Sequence, residues 1–290
     1  MQDKTMQQLL DFFERNNDLL VFGMNGSKTN AAIPDDCFKD YDVVFFTEEV
    51  SKYKENQDFL AQFGEVLLYT EPELDAVTPL FPNGDGYIYL VQYTNGVRID
   101  CQFRSLASLA AYLEEDSLTL IMGDKEGLVE TNPIPDDSDY WLKRPTQLSY
   151  EQSIKEFWWE FNNTLKATIR GELLLAQFYL DLTRAELIQL MTWTIACANG
   201  YEMNYGKQHT RVLDYLCDSE REQLLQTFDT GSQEKIFSSL KQMKRLEERY
   251  MPLLGRASGF RFEQLTALNE VPTKYLKSKK QEQLAAYFER

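Results

Sequence analysis

The spacing of apolar residues changes period near residue 145, and no single kind of secondary structure satisfies both halves. Before that point the chain carries short runs broken by turns: "DLLVFGMN" (18–25), "DYDVVFF" (40–46), "EVLLYT" (65–70) and "GYIYLVQYTNGVRIDCQF" (86–103). Runs of this length, rich in Val, Ile, Tyr and Phe, predict strands. Asn95-Gly96 between two alternating runs predicts a two-residue hairpin turn. The strand after it places Val97, Ile99, Cys101 and Phe103 on one face and Arg98, Asp100 and Gln102 on the other. After "YWLKRPT" (140–146) the pattern becomes helical, in "SYEQSIKEFWWEFNNTLKATI", "GELLLAQFYLDLTRAELIQLMTWTIACANG" and "SQEKIFSSLKQMKRLEERYMPLL". Gly200 is a natural C-terminal stop, and Ser219 with Glu222 predicts a capping box. The expected fold class is α+β. A mixed-sheet domain over 1–145 is joined through Lys143 to Tyr150 to an all-helical domain over 146–290.

No apolar run approaches a membrane span, and "MQDKTMQQLLDFFERNND" is an acid-bearing amphipathic helix pattern, unlike a signal peptide. Cys37, Cys101, Cys197 and Cys217 are scattered, with one histidine in the chain. That predicts neither a zinc site nor a disulfide framework and fits a reducing cytoplasm. The net charge of −16 is unevenly spread: residues 1–142 carry 27 Asp and Glu against 9 Lys and Arg, residues 143–290 carry 19 against 21. So acidic a first half disfavours nucleic acid and attracts cations.

Asp40 and Asp42 stand at the mouth of the apolar run Val43–Phe46, and alternate strand residues share a face, so both carboxylates project side by side. Like charges held that close repel unless a cation lies between them. Asp100 adds a third carboxylate from the polar face of the later strand. Gly26-Ser27, just past the run "LLVFGMN", is a turn whose backbone amides can approach phosphate oxygens. A glycine-serine turn followed, after residues 28–39, by strand-borne acids has the composition that metal-assisted phosphoryl transfer requires, with hard oxygen ligands for Mg²⁺. A polar strand edge with solvated acids is the plainer explanation of the three aspartates, an ordinary turn that of Gly26-Ser27.

Gly-Ser, this gap, then Asp-hydrophobic-Asp-hydrophobic resembles the signature of the DNA polymerase β-like nucleotidyltransferases. "GSKTN", "DYDVVFF", "YWLKRPT", "KEFWWE", "RGELLLA" and "MTWTIACANGYEMNYGKQHTRVLDYL" are similar to stretches of the aminoglycoside 6-adenylyltransferase (streptomycin adenylyltransferase) family. The resemblance implies an N-terminal nucleotidyltransferase domain, a helical C-terminal domain, ATP and Mg²⁺, and transfer of AMP to an aminoglycoside hydroxyl. It makes Asp40, Asp42 and Asp100 the metal ligands, with Asp100 also taking the acceptor proton, and Gly26, Ser27 and Lys28 the phosphate cradle. The chain departs from the family pattern at Asn25, Lys28 and Gln102, where an acid, an arginine and a small hydroxyl residue are the pattern.

The helical half offers further candidates. Lys207, after a glycine, could reach a triphosphate as a point charge or be a surface lysine. Glu172 could bind a cationic substrate or replace Asp100 as base, though a carboxylate at a helix start is favoured by the dipole anyway. His209 is expected to be structural, and Trp158, Trp159 and Trp193 are expected in the core. Trp141 and Lys143 could line a nucleotide cleft or merely pack at the join. The expected substrates are ATP and a cationic aminoglycoside, streptomycin above all, with no nucleic acid or membrane as partner. The competing reading keeps the acids and changes the acceptor, to another small molecule or a protein. A nucleotide-sugar glycosyltransferase would leave Gly26-Ser27 and Asp100 unexplained.

Overall fold

Strands form where the first-half runs are richest in β-branched and aromatic residues. The computed structural model describes residues 3–54, 56–75 and 77–289, and these fall into two units, Met1–Asp139 and Tyr140–Arg290. The first holds β1 (Leu19–Asn25), β2 (Tyr41–Thr47), β3 (Val66–Thr70), β4 (Gly86–Tyr93), β5 (Arg98–Ser105) and β6 (Leu120–Asp124) in one mixed sheet ordered β3-β4-β5-β2-β1-β6. Every neighbouring pair is antiparallel except β2 with β5. Helices α1 (Lys4–Arg15), α2 (Val50–Lys54) and α3 (Leu109–Tyr112) complete the unit.

Alternation sorts the two faces of the sheet. Tyr41, Val43 and Phe45 of β2 and Ile99, Cys101 and Phe103 of β5 join Leu9, Phe12 and Phe13 of α1 in the larger core. Val21, Val44 and Phe46 face the other way and pack with Leu109 and Tyr112. Stacked and edge-on rings fill the larger core: Phe45 lies 4.8 Å from Phe22 and 5.6 Å from Phe103, centroid to centroid. Burying each such ring contributes about 1.5–3 kcal/mol, so β2 is held from both sides by apolar contact.

Two local readings are corrected. The connection at Asn95-Gly96 is a three-residue loop closed by Tyr93 N–H to the Val97 carbonyl (2.8 Å) and Gly96 N–H to the Tyr93 carbonyl (3.0 Å). Gly96 has φ 86°, so it supplies the left-handed residue that ends this longer hairpin. β6 was not foreseen: "LIMGD" is five residues with no alternation in its burial, so it gives no periodic signal.

The second unit is helical throughout: α4 (Gln147–Ile169), α5 (Leu173–Asn199), α6 (Asp218–Gln226), α7 (Gln233–Ser258), α8 (Val271–Ser278) and α9 (Glu282–Glu289). Thr146 caps α4 in a reciprocal pair with Ser149, and Gly200 ends α5. Residues 140–145 belong with this unit, and the Leu142 N–H donates to the Met203 carbonyl (3.2 Å). The helix at Ser219 starts earlier than the capping-box reading had it. Cys217 is the N-cap, and Asp218 and Glu220 fill a first turn where the dipole favours acids. Trp158 and Trp193 are buried but Trp159 is 67% exposed. The inward stripe of α4 runs through Ile154, Phe157, Trp158, Phe161 and Leu165, and a further 100° of rotation past Trp158, at its edge, turns Trp159 out. No described helix is long and apolar enough to cross a membrane.

Glu247 of α7 is an ionisable group sealed in this helical core. Its Oε1 accepts from the Trp158 Nε1–H (3.3 Å), while Oε2 has no partner among the described residues. Burial pushes its carboxyl up to about 8. The folded protein therefore keeps a proton that the unfolded chain, with an ordinary carboxyl, releases between about pH 4.5 and 8. Stability drains away across that window as pH rises. Glu247→Gln cannot titrate, so it should melt a few degrees above wild type at pH 8 and show little or no gain at pH 4.5. Thermal melts at both values check this, and a pH-independent difference refutes it.

Candidate functional site

The parallel pairing of β2 with β5 sets Asp42 directly opposite Asp100, and the antiparallel pairing of β1 with β2 sets Asn25 opposite Asp42. Asp40, two residues before Asp42, falls on the same face. Three carboxylates thus gather on the side of the sheet opposite Tyr41, and each is partly buried. Burial first, then the charges of Asp100 and Asp40, push the Asp42 carboxyl up to about 6. Asp40 is also raised, by burial and by Asp100, against the opposing pull of Arg98.

Arg98 is the member of this group that the sequence reading assigned no role. Its Nε and Nη2 donate to the two Asp100 oxygens (2.9 and 2.8 Å), and Nη1 lies 3.3 Å from Asp40 Oδ2. The sequence signal was available: Arg98 and Asp100 are two apart on one strand, so they share a face. Asp42 has no ion-pair partner of its own among the described residues, and its neighbour is the backbone of Gly26. A Cβ built on Gly26 would meet Asp42 Oδ2 at 2.1 Å, and Gly26 has φ 78°. Two constraints therefore demand glycine here. The Gly26–Lys28 turn is tied down by Thr29, whose hydroxyl donates to the carbonyls of Gly26 (3.0 Å) and Leu118 (2.7 Å).

The other candidates lie elsewhere. The Lys28 ammonium sits 4.2 Å over the Tyr41 ring, on the face opposite Asp40 and Asp42. Ser27 follows Gly26 in the turn, partly exposed. Glu172 occupies the N-cap position of α5 without accepting a backbone hydrogen bond; instead its Oε1 pairs with Arg170 Nε (3.2 Å). Lys207 is exposed and follows Gly206, at the head of a stretch of tight 3₁₀ turns, Lys207–Tyr215. Gln208 and His209 there adopt left-handed backbone (φ 56° and 57°), an uncommon conformation outside glycine. Burial lowers the His209 imidazole. Trp141 and Lys143 line a hollow of about 310 Å³ in the helical unit with Trp193, Tyr205 and His209. Among the described residues no three His, Cys, Asp or Glu side chains stand as a ready-made metal cage. The acids form an open cluster, with Arg98 between two of them.

Gly26→Ala should cost about 1–3 kcal/mol, since the methyl collides with Asp42 on a left-handed backbone. Gly84 is the control: it is also left-handed (φ 72°) but has open space at its Cβ position, so Gly84→Ala should melt closer to wild type. Equal losses in the two melts would mean that contact with Asp42 contributes nothing.

The family model described as streptomycin adenylyltransferase matches residues 1–278. An aminoglycoside 6-adenylyltransferase of Staphylococcus aureus is 32% identical over 234 residues, spanning 80% of this chain and 82% of its own. One of Bacillus subtilis (strain 168) is 28% identical over 265 residues, spanning 90% and 92%. The crystal structure of an aminoglycoside 6-adenyltransferase from Bacillus subtilis matches with a TM-score of 0.46 at 24% identity, over 95% of this chain and 97% of that one.

Proposed function

The chain belongs to the streptomycin adenylyltransferase family, and on that premise we propose that it transfers AMP from Mg-ATP to a hydroxyl of an aminoglycoside, streptomycin first, releasing pyrophosphate. The observation that carries this reading is the pairing of Asp42 with Asp100, with Asp40 beside them and Gly26 pressed against Asp42. The donor set is all carboxylate oxygen, three acids against the single guanidinium of Arg98, which fits a hard divalent cation. Bound Mg²⁺ would supply charge neutralisation of the triphosphate and assist departure of pyrophosphate.

The protein's own contributions follow from charge and reach. Asp40 and Asp42 would hold the cation, with Asp100 as the third ligand. Gly26 and Ser27 present backbone amides to phosphate oxygens and Lys207 adds positive charge toward the nucleotide, whereas Lys28, held over Tyr41 on the face opposite the acids, reaches the phosphates only by leaving that ring. The acceptor oxygen attacks the α-phosphorus, the bond from that phosphorus to the bridging oxygen breaks, and pyrophosphate carries away the electron pair. The acceptor proton passes to Asp100, since a sugar hydroxyl is a poor nucleophile near neutral pH without a base. Glu172, in the helical unit, attracts the cationic acceptor. In this reading the first unit, ending at Asp139, is the nucleotidyltransferase domain rather than the whole of 1–145, the helical unit from Tyr140 is the substrate-binding one, and the enzyme works in the cytoplasm.

A pyrophosphate-release assay with ATP, Mg²⁺ and an aminoglycoside panel tests the assignment. Streptomycin should turn over, and Asp42→Asn should lower single-turnover transfer by several orders of magnitude, since metal-assisted steps supply several kcal/mol of the barrier. Failure to modify any aminoglycoside overturns the substrate class; intact transfer by Asp42→Asn overturns the site. The acidic first half should also recruit the cation from a distance. Its kcat/KM for streptomycin should then rise as ionic strength falls, because charges are screened beyond about 8–10 Å at physiological salt. A salt-independent value at fixed Mg²⁺ removes electrostatic recruitment.

A further inference from the structure

We propose that Arg98 is a resident counter-cation of the acidic cluster, a positioning residue that holds Asp40 and Asp100 until a divalent ion takes its place. The inference rests on the reading of these acids as metal ligands given above. It adds a residue whose charge competes with the ion.

The geometry carries it. Arg98 spends all three of its facing nitrogens on the cluster: two on the Asp100 oxygens and one on Asp40 Oδ2. A planar guanidinium matches a carboxylate bidentately, so one lone pair of each Asp100 oxygen is taken and a full positive charge sits where a divalent ion would approach. Arg98 therefore competes with that ion by like-charge repulsion, and the repulsion drives the guanidinium off as the ion binds. The other nearby cations are turned elsewhere. Lys28 lies over Tyr41, Lys39 donates to the Ile33 carbonyl (3.0 Å), and Arg104 pairs with Glu115 and donates its Nε–H to the Gln102 side-chain oxygen (2.9 Å).

Arg98 is also free to leave. Its side chain is 42% exposed while that of Asp100 is 15% exposed, so the guanidinium caps the cluster from the solvent side. It can swing out without opening either core, whereas Asp100 is fixed on β5. Asp42 keeps its oxygens without an ion pair and offers the incoming ion its first ligand. Release of Arg98 then bares Asp100. Without Arg98 the empty cluster would suffer the full repulsion of three acids; with it, the cluster is tolerated at the cost of weaker divalent binding.

The test uses the full chain, no nucleotide, and Mn²⁺ alone titrated calorimetrically, beside thermal melts with and without Mn²⁺. Arg98→Gln should bind Mn²⁺ roughly three- to tenfold more tightly than wild type, the scale of one partly exposed ion pair. Arg98→Lys keeps a charge but loses the two-pronged grip, and should fall between. The metal-free melting temperature of Arg98→Gln should lie below wild type, with the gap closing at saturating Mn²⁺. Affinity equal to or weaker than wild type, or a melting deficit that Mn²⁺ leaves untouched, makes Arg98 a structural residue and overturns the proposal. Should Arg98→Gln not fold, Arg98→Lys decides alone: tighter binding supports the proposal, equal or weaker binding overturns it. Asp42→Asn separates the two readings. If it abolishes Mn²⁺ binding while Arg98→Gln matches wild type, the metal site stands and the counter-cation role falls. If wild type and both Arg98 variants bind no Mn²⁺, the metal-ligand reading falls and takes this one with it.

Discussion

In a sheet that is otherwise antiparallel, β2 and β5 run parallel, in a register that puts Asp42 against Asp100. Everything in the candidate site depends on that one pairing. A one-residue slip of β2 would turn Asp40 and Asp42 toward the aromatic core and Val43 and Phe45 away from it, and the same slip of β5 would do so to Asp100 and Phe103. The register is therefore enforced by apolar burial on the far side of each strand, and the acids inherit positions they would not choose for themselves. Like charges on neighbouring strands oppose folding. The buried rings beneath them outweigh that opposition.

The surroundings of the acids manage their repulsion in two ways. Arg98 neutralises Asp40 and Asp100 from the solvent side, where screening and exposure keep each ion pair to about 1 kcal/mol or less. Asp42 has no ion pair of its own and feels Arg98 only at a distance, with the backbone of Gly26 close against it; burial first, then the charges of Asp100 and Asp40, raise its carboxyl. A cluster that is half-compensated when empty is a reasonable receptor for a cation. Full internal neutralisation would leave no affinity for one, and none at all would tax the fold.

The helical unit is built on different terms. Its long helices bury apolar faces, and among its described residues the buried Asp, Glu, Lys or Arg side chains are Glu160, Arg184 and Glu247. Arg184 is satisfied by the Thr227 carbonyl and hydroxyl and by Asp181. Glu247 is half-satisfied, by Trp158 alone, and so stays protonated well above the usual carboxylate range. Gln208 and His209, next to Lys207, and Lys280 are the described non-glycine residues of this unit in left-handed backbone, an uncommon conformation that packing alone does not favour.

What the sequence by itself determined was whatever depends on local period and residue type. The strands of β1 to β5, the long helices, the stop at Gly200, and the shared face of Asp40 and Asp42 follow from alternation, helical spacing and the special backbone freedom of glycine; the cap at Thr146 is seen in the structure alone. The family could be read as well, because Gly26-Ser27 and the acids keep the spacing that the chemistry needs. Local period could not reveal β6, which has none, nor the extra residue in the hairpin at Gly96, nor the outward side of Trp159. Only the tertiary structure decided that β5 lies parallel against β2 and brings Asp100 to Asp42 across 57 intervening residues. It alone turned Lys28 to the Tyr41 face and placed Arg98 between two of the acids. The physical reason is that charge acts through space while periodicity acts along the chain. Which carboxylate meets which cation is settled by strand order and register, and those are set by the core.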